Sequence, residues 1–128
     1  MTVELQMLVW SAALALVQMV IAVIGAQGQV GLPMLAGNRD NLPPVVGWAG
    51  RARRAHINML ENLLIFAIVI LVAHAAGENN ERTVLGAQLF FWGRVAYALV
   101  YVAGVPWVRT LVWAVSVAGI ALVLSCLF

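Results

Sequence analysis

Four polar residues that could bind an anionic ligand recur along one short stretch of this sequence. Their spacing of three, four and three residues places them within an arc of about 80° on an α-helix: Arg51, Arg54, Asn58 and Glu61. Arginine keeps its charge at any working pH and forks onto carboxylates. A polar face of this kind in an apolar helix must point at protein, water or ligand.

A second polar face follows the same spacing in a later segment. Arg94, Tyr97 and Tyr101 are separated by three and four residues. At 1.5 Å per residue, Arg94 lies about 16 Å and Glu61 about 22 Å from the same end of their helices. We therefore predict that Glu61 and Arg94 form a buried ion pair, because either charge alone would be costly inside a membrane.

The composition requires lipid around these helices. Hydrophobic residues make up 64% of the 128 residues and charged residues 9%, whereas a soluble domain carries about 25% charged residues. Four apolar runs are long enough to cross a bilayer, at about residues 5–26, 44–76, 83–102 and 107–128. We predict an all-α membrane protein in which one domain, residues 1–128, forms an up-down bundle of four transmembrane helices. The first run carries Glu4 and no basic residue in its first turn, so we expect a retained helix rather than a cleaved signal.

The distribution of arginines predicts how the bundle is oriented. All seven basic residues are arginine, and Arg39, Arg51, Arg53, Arg54 and Arg109 fall in or beside the first and third connections. The positive-inside rule places these two connections in the cytoplasm. The Ala/Val-rich, lysine-free composition favours a bacterial inner membrane. A formal charge of +2 is too small to suggest nucleic acid, and the single cysteine offers neither a disulfide nor a metal site.

Three motifs resemble the MAPEG family, the membrane-associated proteins in eicosanoid and glutathione metabolism. The first is Arg-Ala-Arg-Arg-Ala-His-Ile-Asn-Met-Leu-Glu-Asn at residues 51–62. The second is Gly-Arg-Val-Ala-Tyr followed by a tyrosine four residues later, at residues 93–101. The third is Pro-Trp-Val-Arg-Thr at residues 106–110. Together with the size and the four spans, the resemblance covers nearly the whole chain.

The resemblance implies a homotrimer that binds glutathione between adjacent subunits near the cytoplasmic side. It implies a membrane-bound glutathione transferase, with peroxidase or isomerase activity as further options, that acts on a lipophilic electrophile. Arg109 matches the family arginine near the thiol and is the predicted catalytic residue. Positions that match glutathione contacts are Arg54, His56, Asn58, Glu61, Arg94, Tyr97 and Tyr101, and the helical face adds Arg51.

The chain departs from the family pattern at the end of the first helix. Family members often carry a base there, but this chain reads Gly-Ala-Gln-Gly-Gln at residues 25–29. Arg39 or Gln27 could replace that contact. Two alternatives stay open: a catalytically silent family member that serves as a membrane scaffold, and a small multidrug transporter. The transporter would need a carboxylate deep in the first helix, where this chain has only Glu4, at its extremity.

Two further predictions concern residues at membrane depth. Gln18 is predicted to make an interhelical hydrogen bond. The consecutive aromatic residues Phe90, Phe91 and Trp92 are predicted to face lipid.

Overall fold

The apolar runs form long helices in the computed structural model, which describes all 128 residues. The helices are α1 (Val3–Val30), α2 (Leu32–Ala36), α3 (Gly47–Ala75), α4 (Glu81–Ala103) and α5 (Pro106–Ser125). All except α2 are long and apolar enough to cross a membrane. The predicted all-α class with four membrane-spanning helices is therefore confirmed. The short helix α2, within the first connection, was not predicted.

Local capping residues fix the ends of α4 and the start of α5. Asn80 and Thr83 form a reciprocal capping box: the Asn80 side chain accepts from the Thr83 amide, and the Thr83 hydroxyl accepts from the Asn80 amide. Gly104 ends α4 at a φ of 83°, which disfavours residues with a side chain. Pro106 then begins α5 with its fixed φ. The short turn makes α4 and α5 antiparallel neighbours.

Helix α1 continues to Val30, four residues beyond the predicted end at residue 26. Gly25 lies within α1, and it is buried. A Cβ atom on Gly25 would lie 2.7 Å from the Cβ of Ala49 in α3. Gly25 therefore allows α1 and α3 to pack closely together. Composition alone cannot tell a glycine with this packing role from one that ends a helix.

The start of α3 is set by a side chain of α1. The amide of Gln29 pairs with the backbone of Val46, accepting from its N–H at 2.9 Å and donating to its carbonyl at 2.7 Å. The pairing holds Val46 extended, and Gly47 follows with a φ of 67°. Pro43 and Pro44 consequently lie in the connection, and α3 begins at Gly47 rather than at the predicted residue 44.

Helices α3 and α4 occupy the middle of the bundle, since each packs against the other and against both α1 and α5, whereas the backbones of α1 and α5 do not approach each other closely. Phe66 of α3 stacks on Phe90 of α4 with ring centroids 3.9 Å apart. Phe91 is buried against Trp10, whereas Trp92 is 57% exposed. The lipid-facing prediction was therefore wrong for Phe90 and Phe91, because the rotation of α4 turns both rings into the core.

The contact between α4 and α5 depends on two glycines. A Cβ atom on Gly86 would lie 2.6 Å from the carbonyl oxygen of Gly119, and one on Gly119 would lie 2.8 Å from the backbone nitrogen of Phe90. Small residues let membrane helices approach closely, which compensates for the weak hydrophobic drive between helices in lipid. Only 27 of 128 residues are buried, so most apolar side chains on the outer faces are available to lipid.

Candidate functional site

Tyr101 is the centre of a basic cluster near the arginine-rich end of the bundle. Its hydroxyl accepts a hydrogen bond from Nε of Arg54 at 3.1 Å. The guanidinium carbon of Arg109 lies 4.6 Å from the centroid of the Tyr101 ring, in a cation–π contact. One tyrosine of α4 thus holds arginines from α3 and α5 beside each other.

Tyr97 extends the cluster one turn deeper into the membrane. Its ring meets that of Tyr101 edge to face, with centroids 5.5 Å apart. The guanidinium carbon of Arg94 lies 4.1 Å from the centroid of the Tyr97 ring. Arg94 is 1% exposed, and none of its three side-chain nitrogens has a hydrogen-bond partner in the chain. Within this chain the Tyr97 ring is therefore the aromatic partner of a fully buried guanidinium.

A small cavity of about 190 Å³ opens beside this cluster, between α3, α4 and α5. It brings together three residues that the sequence motifs predicted, Asn58, Tyr97 and Arg109. Two further lining residues, Thr110 and Trp113, were not predicted as site residues. Trp113 follows Arg109 by four residues, so its position on the same face of α5 could have been recognised from helical spacing.

Asn62 is a further residue that the motifs did not assign a role. Its amide donates to the backbone carbonyl of Asn58 at 2.8 Å and to the Asn58 side-chain oxygen at 3.2 Å. This bond fixes the side-chain oxygen of Asn58 next to Asn62, while the Asn58 side chain lines the small cavity. Asn62 stands one turn along α3 and so orients Asn58.

Two predicted site residues lie apart from the cluster within a single chain. Arg51 donates through Nε to the carbonyl of Val102 at 3.0 Å, so it binds the end of α4. His56 lines a different cavity of about 430 Å³, together with Arg39, Arg53 and apolar residues of α1 and α2. The tertiary structure thus divides the basic residues of α3 between two sides of the helix.

The predicted buried ion pair between Glu61 and Arg94 is not formed in the chain. Arg94 is fully buried without any hydrogen-bond partner, whereas Glu61 is exposed. Equal depth along two antiparallel helices did not suffice, because the two side chains leave their helices in different directions. Glu61 is the central residue of α3 (Gly47–Ala75), so an ionisable group is exposed halfway along a helix that is long enough to cross a membrane.

The opposite end of the bundle holds the acidic residue of α1. Glu4 is buried and accepts a hydrogen bond from the Thr83 hydroxyl, at the first turn of α4. This carboxylate therefore ties two helix ends together, far along α1 from the arginine-rich end.

The residues of the basic cluster lie within a match between the chain and a known protein family. The model of the MAPEG family matches residues 7–128, which includes every residue of the cluster. The match covers well over half of the chain, so this protein belongs to the MAPEG family. No curated protein and no solved structure matches the chain.

Family membership establishes the general class of the protein. The MAPEG family comprises membrane helix bundles, and its members include glutathione transferases and peroxidases alongside other proteins. Together with the four apolar helices, membership identifies an integral membrane protein.

Proposed function

We propose that this protein is a membrane-bound glutathione transferase that joins glutathione to a lipophilic electrophile. The observation that carries the proposal is that Arg54, Arg109 and Tyr97 all contact Tyr101 at one end of a membrane bundle. Asn58 lines the small cavity beside Tyr97 and Arg109. Glutathione carries two carboxylates, an amine and a thiol. Guanidinium groups suit the carboxylates, and the NH₂ group of Asn58 suits a carbonyl of the peptide.

Arg109 is the residue we assign to the thiol. A free thiol has a pKa of about 8.5, so only a few per cent is ionised at pH 7. Arg109 lies in the first turn of α5 and is held over Tyr101 rather than free in solution. A fixed positive charge beside the sulfur favours the thiolate. A decrease of one to two pKa units would raise the ionised fraction at pH 7 to between about one quarter and three quarters.

The chemical step needs no further cofactor. The thiolate attacks an electrophilic carbon, a carbon–sulfur bond forms, and the leaving group departs with its electron pair. The proton released on ionisation of the thiol passes to water. The electrophile reaches the site through the lipid that surrounds the apolar faces of the bundle.

A homotrimer completes this proposal. Glu61 and Arg54 are exposed on α3, and Glu61 stands at the centre of that helix, where contact with lipid would be costly. A neighbouring copy that covers this face would remove the cost. The side of α3 that carries His56, with Arg39 and Arg53 beside it, can then contribute to the site of the adjacent copy. We thus propose that glutathione lies between subunits and that Arg39 replaces the missing base of the first helix.

The other functions receive less support from the geometry. A multidrug transporter that exchanges protons for cations needs a carboxylate deep in α1, but Glu4 is engaged by Thr83 at the end of that helix. A catalytically silent scaffold protein would either bind glutathione without ionising the glutathione thiol or not bind glutathione at all.

Titration of the purified, detergent-solubilised protein with glutathione tests the proposal. We expect saturable binding together with the ultraviolet absorbance of the thiolate at pH 7, and conjugation of a generic electrophile such as a chlorodinitrobenzene. Arg109→Ala should retain most of the glutathione affinity and the oligomeric state, but lose thiolate absorbance and turnover.

Arg82→Ala is the matched control, since Arg82 is exposed at the opposite end of the bundle. It should leave binding, absorbance and turnover unchanged. Binding without thiolate absorbance in the parent protein would indicate the silent family member instead. If Arg109→Ala turns over as fast as the parent, the thiol is activated by another residue, with Tyr97 or Arg94 next to be tested.

A further inference from the structure

The largest apolar groove near the centre of the bundle, a cavity of about 450 Å³ between α1 and α4, does not select a ligand. Its wall is apolar except for Gln18. The Oε1 atom of Gln18 is buried and has no hydrogen-bond partner, so the predicted interhelical bond to that oxygen is not formed, and the oxygen is closed to a ligand as well. Nothing in this wall favours one apolar molecule over another.

Trp113, in the small cavity beside Tyr97 and Arg109, is more informative. It is the largest side chain that lines this cavity, and the proposed function gives it no role. It is 39% exposed, so its ring is accessible. It follows Arg109 by four residues of α5, which is one helical turn or about 6 Å. Trp113 therefore lines the same cavity as the arginine that we assign to the thiolate.

The depth of Trp113 distinguishes it from a tryptophan that anchors a helix at the membrane surface. The 20 residues of α5 (Pro106–Ser125) span about 30 Å, the thickness of the hydrocarbon core. Trp107 is the second residue of α5 and is 82% exposed, as in an interfacial aromatic belt. Trp113 lies about 10 Å further along the helix than Pro106. A molecule that reaches the cavity through lipid meets Trp113 at this depth.

The volume of the small cavity limits what it can hold. It measures about 190 Å³, and a protein cavity of about 150 Å³ binds benzene. The cavity therefore has room for about one six-membered ring next to the attacking sulfur. The rest of glutathione and any long hydrocarbon chain must lie outside it.

We infer that Trp113 determines the specificity for the electrophile by stacking on a flat aromatic ring. This inference rests on the proposed transferase function and narrows its substrate class to aromatic electrophiles. The thiolate attacks the ring carbon that carries the leaving group, and a carbon–sulfur bond forms as an electron pair moves into the ring. Return of that pair expels the leaving group as an anion. Arg109 stabilises the negative charge that the ring carries between the two steps.

Binding of two glutathione conjugates to the full-length, detergent-solubilised protein tests the inference without requiring turnover. S-benzylglutathione carries a flat ring, and S-(cyclohexylmethyl)glutathione carries a saturated ring with the same number of carbon atoms. Calorimetric titration gives the dissociation constant of each conjugate. We expect the preference for the benzyl conjugate to be about two- to tenfold higher in the parent than in Trp113→Leu, which is the effect of one aromatic pair.

Further variants separate stacking from general packing. Trp113→Phe keeps an aromatic ring and should retain part of the preference for the benzyl conjugate. Trp107→Leu, in the first turn of the same helix, is the control and should keep the preference of the parent. Unsubstituted glutathione should bind to all variants with the affinity and the thiol pKa of the parent. In turnover, Trp113→Leu should lower kcat/KM for a chlorodinitrobenzene about two- to tenfold and leave that for an iodoalkane unchanged.

An equal preference in the parent and in Trp113→Leu would overturn the inference, and the transferase proposal would stand if glutathione still binds and its thiol ionises. Weaker binding of unsubstituted glutathione to both Trp113 variants would overturn it too, because Trp113 would then hold the peptide. If Trp113→Leu does not fold, Trp113→Met takes its place in the comparison. A parent protein that binds neither glutathione nor its conjugates would refute the transferase proposal, and the inference with it.

Discussion

Replacing Tyr101 by Phe or by Leu separates the two contacts that this residue makes in the basic cluster. Tyr101→Phe removes the hydroxyl that accepts the hydrogen bond of Arg54 at 3.1 Å, and it leaves the ring below Arg109 at 4.6 Å. Tyr101→Leu removes both. If Arg54 binds a carboxylate of glutathione and Arg109 stabilises the thiolate, the two variants should fail in different ways.

The expected size of each effect follows from the contacts. A hydrogen bond to a charged group contributes about 1.5–3 kcal/mol, but Arg54 is exposed, so about 1 kcal/mol is reasonable after solvent screening. Glutathione affinity should then fall about fivefold in Tyr101→Phe. A cation–π contact at a partly exposed site contributes about 1 kcal/mol. Its loss in Tyr101→Leu should raise the pKa of the bound thiol by about 0.7.

The assay is the same for both variants. Calorimetric titration at pH 7 gives the dissociation constant of glutathione, and the thiolate absorbance of the saturated protein, measured from pH 5 to pH 9, gives the pKa of the bound thiol. Tyr101→Phe should show weaker binding with an unchanged thiol pKa. Tyr101→Leu should show weaker binding and a higher thiol pKa.

Three results would contradict this reasoning. If Tyr101→Phe binds glutathione as tightly as the parent, Arg54 does not depend on the hydroxyl for its position. If Tyr101→Leu keeps the parent pKa of the thiol, the ring does not hold Arg109 beside the sulfur. A lower melting temperature of both variants without any change in affinity would reduce Tyr101 to a structural role.

Three other predictions address packing, the buried arginine and topology. Gly119→Ala should destabilise the bundle by about 1–3 kcal/mol in a thermal unfolding experiment, because the added Cβ would meet the backbone of α4. Gly28→Ala is the control: an added Cβ would have no atom within 4 Å, so this variant should be neutral or stabilising in the same experiment. Arg94→Met should cost the unliganded protein little stability, since Arg94 makes no hydrogen bond in the chain. The same variant should bind glutathione at least tenfold more weakly. An unaltered affinity would show that Arg94 is structural. A reporter enzyme that is active only in the cytoplasm should be inactive when it is fused after Phe128, because the arginine distribution places the C-terminus on the opposite side of the membrane. An active fusion would reverse the proposed orientation and the route of glutathione.

The sequence was sufficient to predict the features that depend on one helix at a time. Four apolar runs of membrane-spanning length predicted the fold class, because an isolated segment in lipid must satisfy its backbone internally. Helical spacing likewise predicted that Tyr97 and Tyr101 share a face, and the structure brings their rings into contact. Arg109, from a different helix, was added by family resemblance, and the structure places it against Tyr101.

Relations between helices were decided only by the tertiary structure. Helical periodicity fixes the angle between two side chains of one helix, but it leaves open how far each helix is rotated about its own axis. That rotation depends on how large and small residues of neighbouring helices fit together, as at Gly86 and Gly119. It turns Phe90 into the core, and it separates Glu61 from Arg94 although their depths are similar. The opposite sides of α3 taken by Arg54 and His56 follow from periodicity alone, but only the packing of α3 shows that the His56 side faces α1 and α2.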